Sequence, residues 1–250
     1  MVSFENLVFD PTFYAFGTVI VCFLTATVVI AIMKLRGSKS IEVRKLVMGT
    51  VLFALGAIVT TVGVVLLSFL SRSGEIDPFL YLQSEFLDIY FGFGLILSGI
   101  QFTVYAGGSK LASTFRALTW LTFAASSTIS AAFLLNRATY AVSFSGSTMH
   151  VAQQLVFWLP VFLTSCIGLV VLPVLALRAG DSGLRSHASL FAVSILLVLV
   201  GCLKESNLIP SSGDPLRDLL VSFVPFTTGS VILLLAASRL PSSYARKLGV

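Results

Sequence analysis

The sequence predicts an all-α membrane protein, a polytopic bundle of seven transmembrane helices with the amino terminus outside and the carboxyl terminus cytoplasmic. Three observations carry this expectation. Of the 250 residues, 56% are apolar and 11% charged, less than half the charge usual in a soluble domain, and the mean hydropathy is +0.99. Seven apolar runs approach or exceed the roughly 20 residues that cross a hydrocarbon core. The basic residues sort to alternate loops. A cytosolic enzyme, a nucleic-acid binder and a disordered tail are excluded. Barrel strands are excluded too, because the runs are continuously apolar rather than alternating.

The spans are expected at about 13–33, 46–70, 86–106, 117–135, 152–177, 188–203 and 219–238, in a single domain covering 1–250. The first follows Glu5 and Asp10, with no basic residue ahead of it, and runs into Lys34–Lys45. That pattern reads as a retained helix with a cytoplasmic stop, not a cleaved leader. The second and fifth are long enough to tilt. The sixth is the shortest, and extends if Lys204 reaches for the interface. The loops between spans are short, so no folded extramembrane domain is expected.

Charge sets the direction. Twelve of the sixteen basic residues fall on the face reached after spans one, three, five and seven, against two of the eleven acids. They are Lys34, Arg36, Lys39, Arg44, Lys45, Lys110, Arg116, Arg178, Arg185, Arg239, Arg246 and Lys247; the acids are Glu42 and Asp181. The other face carries four bases and nine acids. Lys/Arg excess marks the cytoplasmic side of a cell-membrane protein.

Within the spans, Gly49, Gly56 and Gly63 recur every seven residues on span two, a stripe suited to close helix packing. Span three places Gly94, Ser98, Gln101 and Tyr105 on one face, and span four does the same with Thr119, Thr122, Ser126 and Ser130. Hydroxyls and amides in hydrocarbon must find partners, so Ser126 and Ser130 read first as packing residues, with a polar pocket as the alternative. Asp88 is the most deeply placed acid, one turn inside span three, with Glu85 above it; Glu205 and Asp218 lie beside Lys204 and Arg217 at the same outer rim. Glu85, Asp88, Gln101 and Glu205 are therefore the candidates for binding a ligand or ion. Pro160 and Pro173 in span five and Pro225 in span seven are candidate kinks. The hydroxyls of Thr227-Thr-Gly-Ser230 are placed to take up carbonyls freed by Pro225.

No catalytic constellation is visible. The two histidines, His150 and His187, are expected at helix ends beside loops, so axial haem ligands are missing. Cys22, Cys166 and Cys202 are far apart within apolar runs and give no metal spacing or disulfide framework. No metal, no cofactor and no enzymatic activity are expected, and the partners are the lipid bilayer and a membrane or cytoplasmic protein met through the basic inner loops, with no nucleic acid.

The plan of seven helices with the amino terminus outside is similar to that of microbial rhodopsins, which bind retinal through a lysine in the seventh helix. Here that span reads Val224-Pro-Phe-Thr-Thr-Gly-Ser230 at its middle and has no lysine, so a photopump is rejected. The first half also resembles the seven-helix sensor region of some histidine kinases. The basic loop Lys34–Lys45, the stretch Leu82-Gln-Ser-Glu-Phe-Leu-Asp-Ile89 opening span three and Tyr105-Ala-Gly-Gly108 closing it carry this likeness. The resemblance implies a sensor- or receptor-like module. It departs in that no dimerisation helix or kinase domain follows within the 250 residues, so a separate effector is expected. An accessory subunit of a larger membrane complex is the alternative, and a small transporter ranks behind both.

Overall fold

The computed structural model describes residues 11–37, 41–72, 91–100 except 93, seven residues between 117 and 128, 162–177 except 164, 167 and 175, then 182–205, 209, 212 and 214–240. These residues contain helices and no strand. Four helices are complete: α1 (Pro11–Gly37), α2 (Ile41–Arg72), α3 (Ser182–Glu205) and α4 (Pro215–Ser238). Helical residues also occur in the 91–100, 117–128 and 162–177 segments. Stretches within all four complete helices, Thr12–Arg36, Val43–Gly63, Ser182–Lys204 and Leu216–Ser238, are long and apolar enough to cross a membrane.

Each complete helix extends past its apolar run, because hydropathy marks the membrane-facing stretch and not the polar turns that continue the same backbone. Pro11 and Pro215 stand first in α1 and α4, where a fixed φ suits a helix start and no N–H is needed. The sixth run is not a short span: α3 has 24 residues. Its first turn, Ser182-Gly-Leu-Arg185, is polar enough to escape a hydropathy reading yet is helical.

The chain folds back twice among these helices. α1 packs against α2 and α4, and α3 packs against α4. Side chains close the arrangement across the middle, where the rings of Phe53 on α2 and Phe191 on α3 meet edge-on at 4.7 Å. The main core joins Ile20 and Leu24 of α1, Phe53 and Ala54 of α2, Ile96 and Ile100, Leu172, Phe191 and Ile195 of α3, and Leu233 of α4. A second cluster, Ala31, Val43, Leu46, Val47, Ala237 and Leu240, with Leu184 against it, brings together the end of α1, the start of α2, the start of α3 and the end of α4. Lys34, Arg36, Arg44, Lys45, Arg185 and Arg239 therefore share one end of the bundle, the basic end. Lys204, Asp214, Arg217 and Asp218 lie at the other, which we term the acidic end from its sequence composition.

Gly56 sits against the 91–100 segment so closely that a Cβ there would run into the carbonyl oxygen of Gly92, and a Cβ on Gly92 would overlap the Thr60 hydroxyl. Seven residues away on both sides, a Cβ on Gly99 would stand 2.5 Å from the Gly49 carbonyl oxygen. Gly49 and Gly56 thus face Gly99 and Gly92 in antiparallel register, two heptad pairs with no side chain between the backbones. Gly63 is half-buried. Several hydroxyls are satisfied locally: Thr27, Thr50, Thr60 and Thr61 each donate to the carbonyl one turn back, at 2.8 to 3.1 Å, and Ser98 donates to Gly94 at 2.8 Å, the habit of such residues inside helices.

Candidate functional site

The polar chemistry of the described residues concentrates on one seam, between α3 and α4. The two helices are antiparallel, and the His187–Ala236 and Ser194–Gly229 contacts share one register. His187, Ser194 and Gly201 follow one another at intervals of seven on α3; Ala236, Gly229 and Ser222 do so on α4. Heptad spacing holds a seam in place on helices that cross at a small angle.

At the acidic end Lys204 and Asp218 form an ion pair, Nζ to Oδ1 2.9 Å, with side chains only 7% and 8% exposed. Asp218 also accepts the backbone N–H of Ser212, at 2.9 Å to Oδ1 and 3.3 Å to Oδ2. Beside it, Asp214 caps α4, its Oδ1 accepting the N–H groups of Leu216 at 3.0 Å and Arg217 at 3.4 Å. Asp, then Pro, at a helix start satisfies orphan donors and places negative charge at the positive end of the helix dipole. Ser212 and the first turn of α4 are thus held by two carboxylates.

Moving along the seam, the missing Cβ of Gly201 makes room for the Phe226 ring, whose nearest atom lies 2.6 Å from where that Cβ would be. Ser194 then donates to the Gly229 carbonyl at 2.8 Å. α4 stays helical through Pro225. The expected rescue of its freed carbonyl by neighbouring hydroxyls is not what Ser230 and Thr227 do. Ser230 donates to Thr227 O at 2.7 Å, and the Thr227 hydroxyl is buried with no hydrogen-bond partner.

At the basic end stands His187, and here the sequence expectation is corrected. His187 does not sit beside a loop. It is fully buried on the second turn of α3, because the helix begins at Ser182, six residues before the apolar run. Its Nδ1 lies 2.9 Å from the Ala236 carbonyl oxygen. A carbonyl only accepts, so Nδ1 carries a proton and donates. Ala236 belongs to the last turn of α4, where carbonyls lack intrahelical donors. The next N–H in register, from Leu240, goes to Ala237 instead, at 3.2 Å, while Arg239 N donates to Ala236 O at 3.1 Å. His187 therefore completes the C-terminal cap of α4 from another helix. On its other side, Nε2 lies 3.5 Å from the Thr50 hydroxyl of α2, and the ring packs against Phe191 at 5.7 Å. One side chain touches three helices.

Among the described residues the seam shows no nucleophile–base pair, and no three His, Cys, Asp or Glu side chains gather as a metal site. What it can do is fasten, and its two ends fasten by different chemistry. Of the residues singled out from sequence, Glu85, Asp88, Gln101, Ser126, Ser130, Pro160 and His150 lie outside the described residues. Glu205 ends α3, next to Lys204. Pro173 is an exposed helical residue and Pro225 is half-buried. The residues that pattern reading missed are His187, Thr50 and the Lys204–Asp218 pairing. For the last, the signal was present: a lysine at one span's end and an aspartate one turn into the next face each other across a short connection.

Compared with family models, curated proteins and solved structures, the chain matches none.

Proposed function

We propose that the chain is a multi-pass protein of the cell membrane, with seven spans and its basic end in the cytoplasm, and that it is a non-catalytic sensor- or receptor-like module. The observation that carries this is the seam: a buried ion pair at the acidic end and a three-helix histidine contact at the basic end, on one pair of packed helices. A solute or charge change that loosens Lys204–Asp218 shifts α4 along the seam, and the cap on Ala236 and the Thr50 contact feel the shift. Glu85, Asp88 and Glu205 supply the acidic rim where such a signal arrives. The effector is a separate protein, met through the basic inner loops, whose sequence supplies Lys39, Lys110, Arg116, Arg246 and Lys247. The likeness of the first half to histidine-kinase sensor regions points the same way.

The test is hydrogen exchange on the purified full chain in mild detergent. Asp218→Asn should raise exchange not only around 204–218 but also in the first turns of α3 and the last turn of α4, at the far end. Asp88→Asn should change the response to added cations or acid. Exchange confined to the mutated end would sink the sensor reading. A chain that stays folded only together with fixed co-purifying proteins would instead establish an accessory subunit of a membrane complex.

A further inference from the structure

An open groove of about 560 Å³ lies on the outer surface of α3 and α4 near the acidic end, a volume within the range of sites that take one small ligand. Its walls are Val200 of α3 and Leu220, Val221, Val224 and Pro225 of α4, and Asp214 and Arg217 stand at its mouth. Steps of three, four and seven from Arg217 to Leu220, Val221 and Val224 put the guanidinium and these apolar side chains on one face of α4, and all four residues are exposed. The apolar walls on α4 fall within Leu216–Ser238, the stretch long and apolar enough to cross a membrane. Asp214 precedes that stretch and Arg217 belongs to its first turn, so the two charges sit at headgroup depth above the walls. Unlike Lys204 and Asp218, they do not pair with each other. Asp214 Oδ1 accepts the N–H groups of Leu216 and Arg217. Its second carboxylate oxygen accepts none, and the Arg217 guanidinium has neither a hydrogen bond nor an ion pair among the described residues.

We infer that this groove binds a phosphatidylethanolamine molecule, with an acyl chain along the apolar walls, the phosphate against Arg217 and the ammonium against the second carboxylate oxygen of Asp214. The inference rests on the membrane reading above, not on the sensor reading, and adds a ligand to it. Acyl chains cover any apolar face in a bilayer; the charges at the mouth select the headgroup. A guanidinium offers paired N–H donors to a phosphate, and a carboxylate oxygen accepts from an ammonium. Phosphatidylcholine brings the same phosphate, but its quaternary nitrogen has no N–H to donate. Phosphatidylglycerol brings an anion without a cation, which sets a second negative charge beside an unmatched Asp214. Shape decides against a second copy of the chain. Asp214 and Arg217 would cross-pair about a two-fold axis, but that axis sets groove against groove and leaves both hollows unfilled.

The experiment reconstitutes the full chain into phosphatidylcholine vesicles that contain a trace of phosphatidylethanolamine, phosphatidylglycerol or phosphatidylcholine carrying a photoactivatable diazirine in one acyl chain. Crosslinked peptides are then mapped by mass spectrometry. Residues 216–225 of the wild-type chain should take up about threefold more phosphatidylethanolamine than either other lipid, a factor within the range that an exposed ion pair supplies. Asp214→Asn, which still caps α4, should bring phosphatidylethanolamine down to the phosphatidylcholine level, and Arg217→Gln should lower both. Free phosphorylethanolamine in the buffer should leave the preference unchanged. Equal labelling of 216–225 by the three lipids in the wild-type chain overturns the inference, whether or not the variants fold. A preference that survives Asp214→Asn overturns it as well. So does a preference abolished by phosphorylethanolamine, which would show a site for the soluble headgroup, and so do crosslinks that join 216–225 of two copies in place of lipid. A chain that alkaline carbonate washes off the vesicles would overturn the membrane reading itself, a distinct result.

Discussion

The two ends of α4 are both capped, but by opposite strategies. At its start the partners are neighbours in sequence: Asp214 caps Leu216 and Arg217, and Asp218 holds Ser212 while pairing with Lys204 across a short connection. At its end the local N–H groups of Arg239 and Leu240 are joined by a partner from 49 residues away, His187 donating to Ala236, and the same ring reaches 137 residues back to Thr50. One end is closed by charge and local turns; the other by a hydrogen-bonded ring that orders three helices at once. A local cap forms with its own hairpin, whereas a distant one forms only after α2, α3 and α4 have assembled. The two ends should therefore fail differently.

The largest effect is expected at the charged end. Asp218→Asn keeps an acceptor for Ser212 but removes the charge 2.9 Å from a lysine that is 7% exposed. Removing one partner of a buried pair costs about 3 kcal/mol or more, read as a fall in the unfolding midpoint in detergent. Lys204→Met combined with Asp218→Leu should recover most of that loss, because an apolar pair of similar size carries no desolvation penalty. A double variant as unstable as the single one would show that these side chains fasten through contacts other than their mutual charge.

At the other end, His187→Ala should lower stability by about 2–3 kcal/mol, combining a cavity beside Phe191 with the lost donor to Ala236. His187→Phe separates the two. It fills the space and should cost about 1 kcal/mol, the donor alone. Hydrogen exchange should then rise in the last turn of α4 and, because coupling along the seam is reciprocal, to a smaller extent in its first turn. If the first turn stays unchanged, the ends are independent, which sharpens the contrast between local and distant caps and weakens the sensor reading.

How much of this was legible beforehand follows the same divide. Helical spans at 13–33, 46–70, 188–203 and 219–238 lie inside α1, α2, α3 and α4, since apolar runs of that length have one solution in hydrocarbon. The helix starts were misplaced by two to six residues, because Ser182–His187 and Pro215–Asp218 are polar and hydropathy is silent on polar helix. Asp214-Pro215 was nonetheless a readable start signal. The role of His187 was not readable. Nothing local to Arg185-Ser-His-Ala188 says that a last-turn carbonyl of another helix will arrive beside it, and a histidine preceding an apolar run looks like a rim residue until the helix is known to begin earlier. The antiparallel pairing of Gly49 and Gly56 with Gly99 and Gly92 lies between these cases. The seven-residue spacing shows on each segment separately, but which stripe meets which is a tertiary fact.

A smaller effect tests whether the local cap is as self-contained as its geometry. Asp214→Ala removes the acceptor for Leu216 and Arg217 and should cost about 1 kcal/mol, while Asp214→Asn, an equally good cap, should cost a few tenths. Both values should hold in a peptide spanning α4 alone, in a membrane-mimetic solvent, since every partner lies within three residues. A cost that appears only in the full chain would mean that Asp214 acts through the hairpin, and the cap would then be tertiary at both ends.

The smallest effect falls on Thr50→Val. Its hydroxyl has one proton, and the carbonyl of Leu46 at 3.0 Å is a better acceptor by distance than Nε2 of His187 at 3.5 Å. A contact at that limit contributes little, so the isosteric change should cost about 0.5 kcal/mol, the low end of a hydrogen bond's net contribution. The prediction matters because it decides how many helices the histidine fastens. With the proton on Leu46, the ring is held by α4 alone and merely touches α2. A loss of about 2 kcal/mol, with exchange rising in the first turns of α2, would place the proton on Nε2 and make α2 a full member of the distant cap. The basic end would then be the point at which the α3–α4 hairpin is locked to the α1–α2 hairpin, and loosening it would release one pair of helices from the other.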